Sequence, residues 1–583
     1  MNDHPEPTRE PQSQAPLHAD TQLPSDAPIG GVRNLGSLVQ AADLVADVVL
    51  IKGISHVPAP LRIIVTDYVF QVREAVKGEP GESHLVVRND GGELADGTGM
   101  ESVDSYKLTA GGRYLIFGRK TTEGYWLTYV LQVESNGTVV ATPDGRMVVG
   151  LSQGDLLTRP EASLPSLRYR PAPPRPLANR QGPPDEGSLP LPQAEDTLAL
   201  RDTAPITVDQ VKDALRGSPT EGKKDDLPPK IGGYGNRSSD LQPRAVTSGG
   251  YVSESTNFYC QLPNNDNWDW FQQCEVCWNQ LVGNSPSGRN WLFGYFVDGS
   301  GNPIRNEAPS ANNGRNNLGV MTSAQMTAGG YPTWAILSAN GVAYLWYTTT
   351  NGQVKETDIL INADIAGDEA QYRKSLTHEL GHALTLDHET RFFSLLYPGT
   401  WRQPPNYSSY WYSRTDDHIG ARSVLAWVNA NIEANRWNLL SFADMATYSQ
   451  AHDNPGTGGN LIMTSLSTIV VNRGDRVTFR NLHVENRGDT AATNVGLKFY
   501  LSWNPIVSNI DTEIASYTWS SFGGLTYWSG SLDAVIPTSL APGTYYVGWI
   551  LTSDTAELTT SNNTAILLRD SAAGFAAQTI LVN

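Results

Sequence analysis

Short runs of alternating hydrophobic and polar residues dominate the first part of the chain. Turns such as Asp90-Gly-Gly and Gly111-Gly separate the runs. The runs that predict strands are 47–52, 62–66, 84–88 and 113–117. Alternation with a period of two, interrupted by turn residues, is typical of β-structure. We therefore predict an all-β, barrel-like domain over 36–157.

The same kind of pattern returns near the end of the chain. Strand-like runs lie at 476–485, 495–501 and 543–551, and turn residues separate them at intervals of ten or so positions. This spacing is typical of an antiparallel sandwich. We predict a β-sandwich over 456–583.

Between these two parts the hydrophobic pattern is mixed. Trp270, Cys274, Cys277, Trp278 and Leu281 recur at helical spacing and predict a helix. Strands are predicted at 291–297, 342–347 and 357–362, and further helices at 369–386 and 416–435. Helices that alternate with strands favour an α/β domain, which we place over 248–455.

Two segments have the composition of linkers. Residues 1–35 are rich in Pro, Asp and Gln and are predicted to be disordered. Residues 158–247 contain 15 prolines and one short helix candidate at 207–216. This second segment is interpreted either as a spacer or as a pro-segment that covers an active site.

Length and charge narrow the function. A chain of 583 residues is long enough for three or four domains. Its net charge of −18 disfavours nucleic acid and anionic membranes as partners, because both would repel it. No run approaches the roughly 18 to 20 apolar residues that span a bilayer, and the polar residues 1–10 do not predict a signal peptide.

One stretch, 377–388, carries the chemistry. His378 and His382 lie four residues apart, so a helix places both imidazoles on one face, where they can bind one zinc ion. Glu379 projects beside them and is placed to deprotonate a water molecule rather than to bind the metal. His388 follows six residues after His382, so the chain must turn back for it to become the third ligand.

These residues resemble the zinc motif of the metzincin peptidases, and the matrixin branch in particular. Ser394-Leu-Leu-Tyr-Pro398 is similar to the turn that follows this motif, and Asp416-Asp-His-Ile-Gly420 to the opening of the last helix. The segment 356–362 resembles the edge strand along which substrates align. The resemblance implies an α/β metzincin-type catalytic domain over 248–455, flanked by the two β domains. It also implies one catalytic Zn²⁺ held by His378, His382 and His388, with Glu379 as general base.

The chain departs from the matrixin pattern at two positions. Thr385 stands where the family has a glycine with positive φ, so we expect strain at this residue or a different helix exit. Leu396 replaces the methionine beneath the metal and can keep the apolar floor. We interpret Tyr397 as packing or substrate wall, and His418 as structural rather than as a ligand.

The three cysteines lie close together, at Cys260, Cys274 and Cys277. An odd number leaves one thiol over. The preferred interpretation is a disulfide from Cys260 to one of the other two, with the third buried. The alternative is a thiolate that caps the zinc of an inactive precursor.

The C-terminal segment resembles the bacterial adhesion-related domain called CARDB, through 482–488, 542–549 and 561–563. This resemblance suggests a secreted or extracellular protein with a cell-surface or matrix ligand. The main hypothesis is a secreted zinc-dependent endopeptidase that acts on proteins or peptides. The alternative is a surface adhesion or glycan- or protein-binding protein whose protease-like domain is inactive. Calcium is a further candidate cofactor, although no motif for it is present.

Overall fold

The computed structural model describes residues 42–160, 207–216, 251–396 and 413–583, without 81–82, 103–104, 123, 142–145, 153–154, 287, 289, 338, 387–394, 450–467, 561, 572–573 and 578. Of the described residues, 46% lie in strands and 18% in helices. The predicted fold class, an α/β metzincin-type catalytic domain with a β domain on each side, is therefore wrong. The chain is mostly β, with several sheets and few helices, and strands of the N-terminal part complete the sheet of the middle part.

The N-terminal part forms a small barrel. Its strands are β1 (Leu44–His56), β2 (Val65–Lys77), β3 (His84–Asp90), β4 (Gly92–Glu93), β5 (Thr98–Ser102), β6 (Arg113–Thr121), β7 (Gly124–Val133), β8 (Val139–Ala141), β9 (Arg146–Ser152) and β10 (Asp155–Pro160). The sheet order is β10-β9-β8-β7-β3-β2-β1-β6, and the pairing of β7 with β6 closes it. Because β2 begins at Val65, the prediction of a strand at 62–66 is mostly wrong.

One helix of the proline-rich segment, α1 (Val208–Arg216), packs onto this barrel. Val208 is buried in the barrel core, and its backbone N–H donates to the carbonyl of Gly137 over 2.7 Å. The ammonium of Lys212 lies 3.1 Å from Asp47 and 2.7 Å from Glu74. The predicted helix at 207–216 is confirmed, and it is fixed to the N-terminal part.

The middle part combines helices with a mixed sheet. Its strands are β11 (Thr256–Gln261), β12 (Val282–Gly283), β13 (Phe293–Tyr295), β14 (Asn317–Met321), β15 (Gly341–Thr348), β16 (Val354–Asn362) and β17 (Asn438–Leu439). Its helices are α2 (Asn265–Asn279), α3 (Ser323–Gly329), α4 (Trp334–Leu337), α5 (Glu369–Ala383) and α6 (Thr415–Asn431), with a 3₁₀ turn at Ala363–Ile365. The sheet order is β13-β11-β14-β16-β15-β5-β4. The strands pair parallel from β13 to β16 and antiparallel from β16 to β4. The segment 356–362 lies in β16, between β14 and β15, so the prediction that it forms an edge strand is wrong.

Strand β5 joins the N-terminal part to the middle part. It pairs antiparallel with β15, from Tyr344 opposite Ser102 to Thr348 opposite Thr98. One hydrophobic core lies across this junction. From the N-terminal part it contains Leu61, Ile63, Ile64, Val65, Met100 and Trp126, and from the middle part the aromatic residues Tyr331, Trp334, Tyr344 and Trp346. Burial of this much apolar surface makes the two parts one packed unit.

The C-terminal part is a pair of facing sheets. Its strands are β18 (Met445–Ser449), β19 (Thr468–Val471), β20 (Arg476–Asn486), β21 (Ala492–Ser502), β22 (Thr512–Phe522), β23 (Thr526–Val535), β24 (Gly543–Thr552), β25 (Thr564–Ile566), β26 (Leu568–Ser571), β27 (Gly574–Ala577) and β28 (Thr579–Val582). One sheet has the order β18-β20-β23 and the other β19-β28-β24-β21-β22. Between them lies a separate core, in which Phe479 stacks on Phe499 and Trp549 packs against Phe499 at a tilt.

No helix in the described residues is long and apolar enough to cross a membrane.

Candidate functional site

Helix α5 carries three of the predicted site residues on its inner side. Its first turn is capped by Asp368, whose carboxylate accepts from the backbone N–H of Gln371 over 3.1 Å. Near its other end His382 and Glu379 are buried, and His378 is half-buried. The predicted helix therefore holds the chemical groups close to the core of the middle part.

The two imidazoles face each other. Their ring centroids lie 4.6 Å apart with planes at 83°, and Nε2 of His378 lies 2.9 Å from Nε2 of His382. The other nitrogen of each ring contacts a backbone carbonyl. Nδ1 of His378 lies 2.7 Å from the oxygen of Leu395, and Nδ1 of His382 lies 2.7 Å from the oxygen of Leu386.

This arrangement fixes which nitrogen of each ring carries a hydrogen. A carbonyl oxygen only accepts, so Nδ1 must donate in both rings, and in a neutral imidazole Nε2 is then a lone pair. Burial, and after it the neighbouring His382, lower the pKa of His378 well below its usual value of 6.5, which keeps that ring neutral. Two lone pairs at this distance repel each other unless a cation lies beside both.

His378 and His382 therefore have the chemistry of zinc ligands, and they supply two of the three protein ligands that a catalytic zinc site uses. Neutral Nε2 atoms are common zinc ligands, and a carbonyl that holds the opposite N–H is the usual support of such a ligand. Two nitrogen atoms that each lie about 2.0–2.1 Å from a tetrahedral metal ion are roughly 3.3 Å apart, so the observed 2.9 Å would have to widen by a few tenths of an ångström when the metal binds.

Thr385 shapes the turn that supports His382. Its φ is +64°, a conformation that threonine rarely adopts, so of the two expected outcomes the structure shows strain at this residue rather than a different helix exit. The N–H of Thr385 donates to the carbonyl of His382 over 2.7 Å, and that of Leu386 to the carbonyl of Gly381 over 3.3 Å. These two bonds form a Schellman motif, which ends the helix and brings the carbonyl of Leu386 back onto His382.

Leu395 and Leu396 form the floor of the site. Both side chains are buried, and Leu396 packs on the helix at Gly381. A Cβ atom at Gly381 would lie 2.7 Å from Leu396 and 2.9 Å from the ring of Trp278, so only glycine fits between them. The expected apolar floor is therefore present with leucine in place of methionine.

Asp417 at the start of α6 holds this floor in place. Its carboxylate accepts from the N–H of Leu395 over 2.9 Å and from that of Arg414 over 2.6 Å. A longer contact of 3.4 Å reaches the N–H of Leu396. Through Leu395, Asp417 thus orients the carbonyl that supports His378.

The C-terminal part in turn supports α6. The carboxylate of Glu485 accepts from the N–H of Thr415 over 3.1 Å. Nδ1 of His418 donates to the carbonyl of Arg487 over 2.8 Å, and its Nε2 accepts from the hydroxyl of Ser413 over 2.7 Å. Burial, and after it the charge of Arg487, lower the pKa of His418 to about 3. His418 is therefore a neutral structural residue, as predicted.

Glu379 lies against the first residue of β15. It is 5% exposed, and a Cβ atom at Gly341 would lie 2.7 Å from its Oε1 atom. Gly341 thus allows the carboxylate to approach the end of a strand closely. The sequence did not identify Gly341 as part of the site, because its strand is distant in the chain from the helix that carries Glu379.

The cysteines take no part in this site. All three are free and buried, so the predicted disulfide from Cys260 is wrong. Burial raises the pKa of Cys260 and of Cys274 to about 12 and that of Cys277 well above its usual value, so the thiols stay protonated. A protonated thiol is a poor metal ligand, which argues against the alternative of a zinc-capping cysteine.

Two predicted positions, His388 and Tyr397, lie outside the described residues. Within the described part of the chain, no three His, Cys, Asp or Glu side chains gather at one point. The structure brings His378 and His382 together and places Glu379, the next residue of the helix after His378, against Gly341. The site also includes the backbone carbonyls of Leu386 and Leu395, which no side-chain motif could predict. It further includes Asp417, which belongs to the motif at 416–420.

Comparisons with known proteins give no family. No protein-family model matches the chain, and no curated protein matches it. The chain has a distant, partial structural similarity to the CARDB domain of a Pyrococcus furiosus protein solved with di-metal ions. The identity is 16% and the TM-score 0.16, over 25% of this chain and 93% of that one.

Two further solved structures are similar over comparable lengths. A Niemann-Pick type C2 protein from the Japanese carpenter ant is 6% identical, with a TM-score of 0.14, over 24% of this chain and 92% of that one. A lytic polysaccharide monooxygenase from Streptomyces lividans is 17% identical, with a TM-score of 0.13, over 20% of this chain and 58% of that one. The resemblance to metzincins therefore rests on the sequence motif alone.

Proposed function

We propose that the protein is a secreted zinc-dependent endopeptidase in which His378 and His382 bind the metal and Glu379 is the general base. The observation that carries this proposal is the paired imidazoles, whose Nε2 lone pairs meet at 2.9 Å while both Nδ1 atoms donate to carbonyls. His388 is proposed as the third ligand from its spacing in the sequence. The extracellular location, and a surface or matrix ligand for the C-terminal part, rest on sequence resemblance.

The residues of the chain have separate tasks in this proposal. Zinc in such a site supplies Lewis-acid activation of a carbonyl and a water molecule. Glu379 takes a proton from the water and passes it to the amide nitrogen as the C–N bond breaks. Because the carboxylate is nearly buried, its charge is poorly solvated and the proton transfer is favoured. Leu395 and Leu396 exclude water from the inner side of the site.

Metal analysis combined with casein hydrolysis tests the proposal. We expect about one zinc per chain, hydrolysis of casein, and loss of hydrolysis with a chelator that added zinc restores. Less than about half a zinc per chain, with no gain on titration, would contradict the metal site. Full zinc without hydrolysis would instead favour the inactive surface protein.

A further inference from the structure

One segment of the C-terminal part packs against the start of helix α6. It comprises residues 485–489, at the end of β20 and in the turn that follows, and we refer to it as the connecting segment. Glu485 and Arg487 are almost fully buried in it, although charged side chains are rarely buried. The connecting segment overlaps 482–488, whose resemblance to CARDB suggested an external ligand. Its charged side chains face the interior of the protein instead.

Arg487 is the central residue of the connecting segment. Its guanidinium forms an ion pair with Asp444, and both side chains are fully buried. The same guanidinium donates from Nη1 to the carbonyl of Ser413 over 2.8 Å. The backbone carbonyl of Arg487 accepts from Nδ1 of His418 over 2.8 Å. Arg487 therefore holds the chain just before α6 and also in the first turn of this helix.

Asp444 keeps the guanidinium in this position. Its Oδ1 atom accepts from the side-chain amide of Asn562 over 3.0 Å, and its backbone carbonyl accepts from the N–H of Arg487 over 2.8 Å. A buried ion pair resists displacement, because a shift would leave a charge unpaired away from water. Arginine suits this place because its planar guanidinium presents several donors in fixed directions, whereas the ammonium of lysine is a compact charge.

A series of hydrogen bonds continues from Ser413 to the proposed metal ligand. The next residue, Arg414, donates its backbone N–H to Oδ2 of Asp417 over 2.6 Å. The same oxygen accepts from the N–H of Leu395 over 2.9 Å. The carbonyl of Leu395 lies 2.7 Å from Nδ1 of His378 and accepts from it. A shift of Ser413 is therefore transmitted to the group that orients this imidazole.

We propose that Arg487 is a positioning residue for the zinc site, so that tight metal binding depends on the C-terminal part. Arg487 acts through Ser413 and through the carbonyl that orients His378. This inference rests on the proposed peptidase function and goes beyond it, because it makes the sandwich a support of the metal site. Groups that orient a ligating histidine typically change metal affinity by roughly 10–100-fold. Because Arg487 acts from further away, we expect a smaller effect.

Arg487→Lys tests this role. Lysine keeps a positive charge beside Asp444 and loses the fork of donors that also reaches Ser413. The zinc Kd of the full-length protein is measured by competition with a chromogenic chelator, and we expect it to rise at least about fivefold. The visible spectrum of the Co²⁺-loaded protein should change as well, because it reports the geometry of the ligands.

Arg422 provides the matched control. It also joins α6 to the C-terminal part, since its guanidinium lies 3.2 Å from Asp489 and donates to the carbonyl of Leu440. The bonds that lead to His378 do not include it. Arg422→Lys should therefore keep the zinc Kd within about twofold, even where chemical denaturation shows the same loss of stability as in Arg487→Lys.

The outcomes separate this inference from the proposed function. An equal rise of the zinc Kd in both variants, or no rise in Arg487→Lys, would overturn the positioning role and leave the zinc site standing. Wild-type protein that binds no zinc would overturn the proposed function, and this inference with it. If Arg487→Lys does not fold, Asp444→Asn gives the same reading, because it removes the charge that holds the guanidinium and keeps the shape of the side chain.

Discussion

The backbone of Thr385 stores strain at the turn that supports a histidine. A β-branched residue at φ +64° costs roughly 1–3 kcal/mol, whereas glycine adopts this conformation freely. Glycine also makes the unfolded chain more flexible, which offsets about 0.4–1 kcal/mol of the gain. We predict that Thr385→Gly raises the free energy of unfolding by about 1 kcal/mol, as measured by chemical denaturation.

Ala383 provides the control for this change. It lies in the last turn of α5 with helical backbone, so Ala383→Gly should lower the free energy of unfolding by about 1 kcal/mol. If both glycine variants lose stability equally, the strain at Thr385 is refuted.

Glu379 should be needed for catalysis and not for metal binding. Replacing it with glutamine keeps the size of the side chain and removes the base. We predict that Glu379→Gln slows casein hydrolysis by roughly 10²–10⁴-fold while zinc content stays at about one per chain.

Glu369 is the matched control, because it lies in the same helix and its exposed carboxylate pairs with Arg373 across one turn. Glu369→Gln should leave the rate within about twofold, since exposed ion pairs contribute little. Loss of zinc from Glu379→Gln would instead make this residue a ligand.

At the scale of residues, the sequence predicted the side chains that carry the chemistry of the site. It did not predict the groups that hold those side chains in place. His378, Glu379 and His382 follow from helical spacing, and strain at Thr385 was one of two outcomes expected from the glycine that the metzincin pattern has at this position. The carbonyls of Leu386 and Leu395 carry no side-chain signal. The pairing of the cysteines was predicted wrongly: all three thiols are buried in one hydrophobic core and all are free, because nearness in the chain does not provide the geometry that a disulfide needs.

At the scale of elements, helix α6 links the site to the C-terminal part through a buried histidine. His418 ionises near 6.5 in an unfolded chain and only near pH 3 in the folded protein. The unfolded state therefore binds more protons between these values. The stability that neutral His418 contributes is present above pH 6.5 and is lost as the pH falls towards 3, at about 1.4 kcal/mol per pH unit.

His418→Gln isolates this effect. We predict that wild type is more stable than the variant at pH 7 and that the difference shrinks steadily between pH 6.5 and pH 4. Other ionisable groups are the same in both proteins, so they cancel in the difference. Denaturation at several pH values measures it, and a difference that does not change with pH would show that His418 does not titrate as described.

Helices were easier to predict than the order of strands. The helix predicted at 369–386 is α5, which ends at Ala383 because the Schellman turn stops it. The hydrophobic run within 357–362 correctly predicted a strand, but it gave no information about which strands pair with it. Alternation along one strand is the same at an edge and in an interior, so the position of β16 had to come from the structure.

At the scale of the whole molecule, the N-terminal and middle parts should stay together when the connection between them is cut. The core around Met100 and Trp334, together with the pairing of β5 with β15, holds them without the covalent link. We predict that protein nicked between 217 and 250 elutes as one species in size exclusion and separates only in denaturant.

Intact protein provides the control. Intact protein should elute at the same volume as nicked protein under native conditions. Release of a free N-terminal fragment without denaturant would support the alternative of a removable pro-segment.

This junction is the part of the fold that sequence could not reveal. The three regions differ in their hydrophobic patterns, which suggested separate domains. Strand β5 (Thr98–Ser102) was not predicted at all, and its partner β15 lies about 250 positions further along, a range over which local periodicity carries no information.

The insertion of β5 also has a consequence for how the protein is made. On the ribosome, the residues of β5 emerge long before those of β15, so the barrel must wait with Met100 and one strand edge exposed until Thr348 has been synthesised. Closing so long a loop is slow, and an unpaired edge invites pairing between nascent chains. Chaperones that bind exposed apolar strands should therefore engage this protein early in its synthesis.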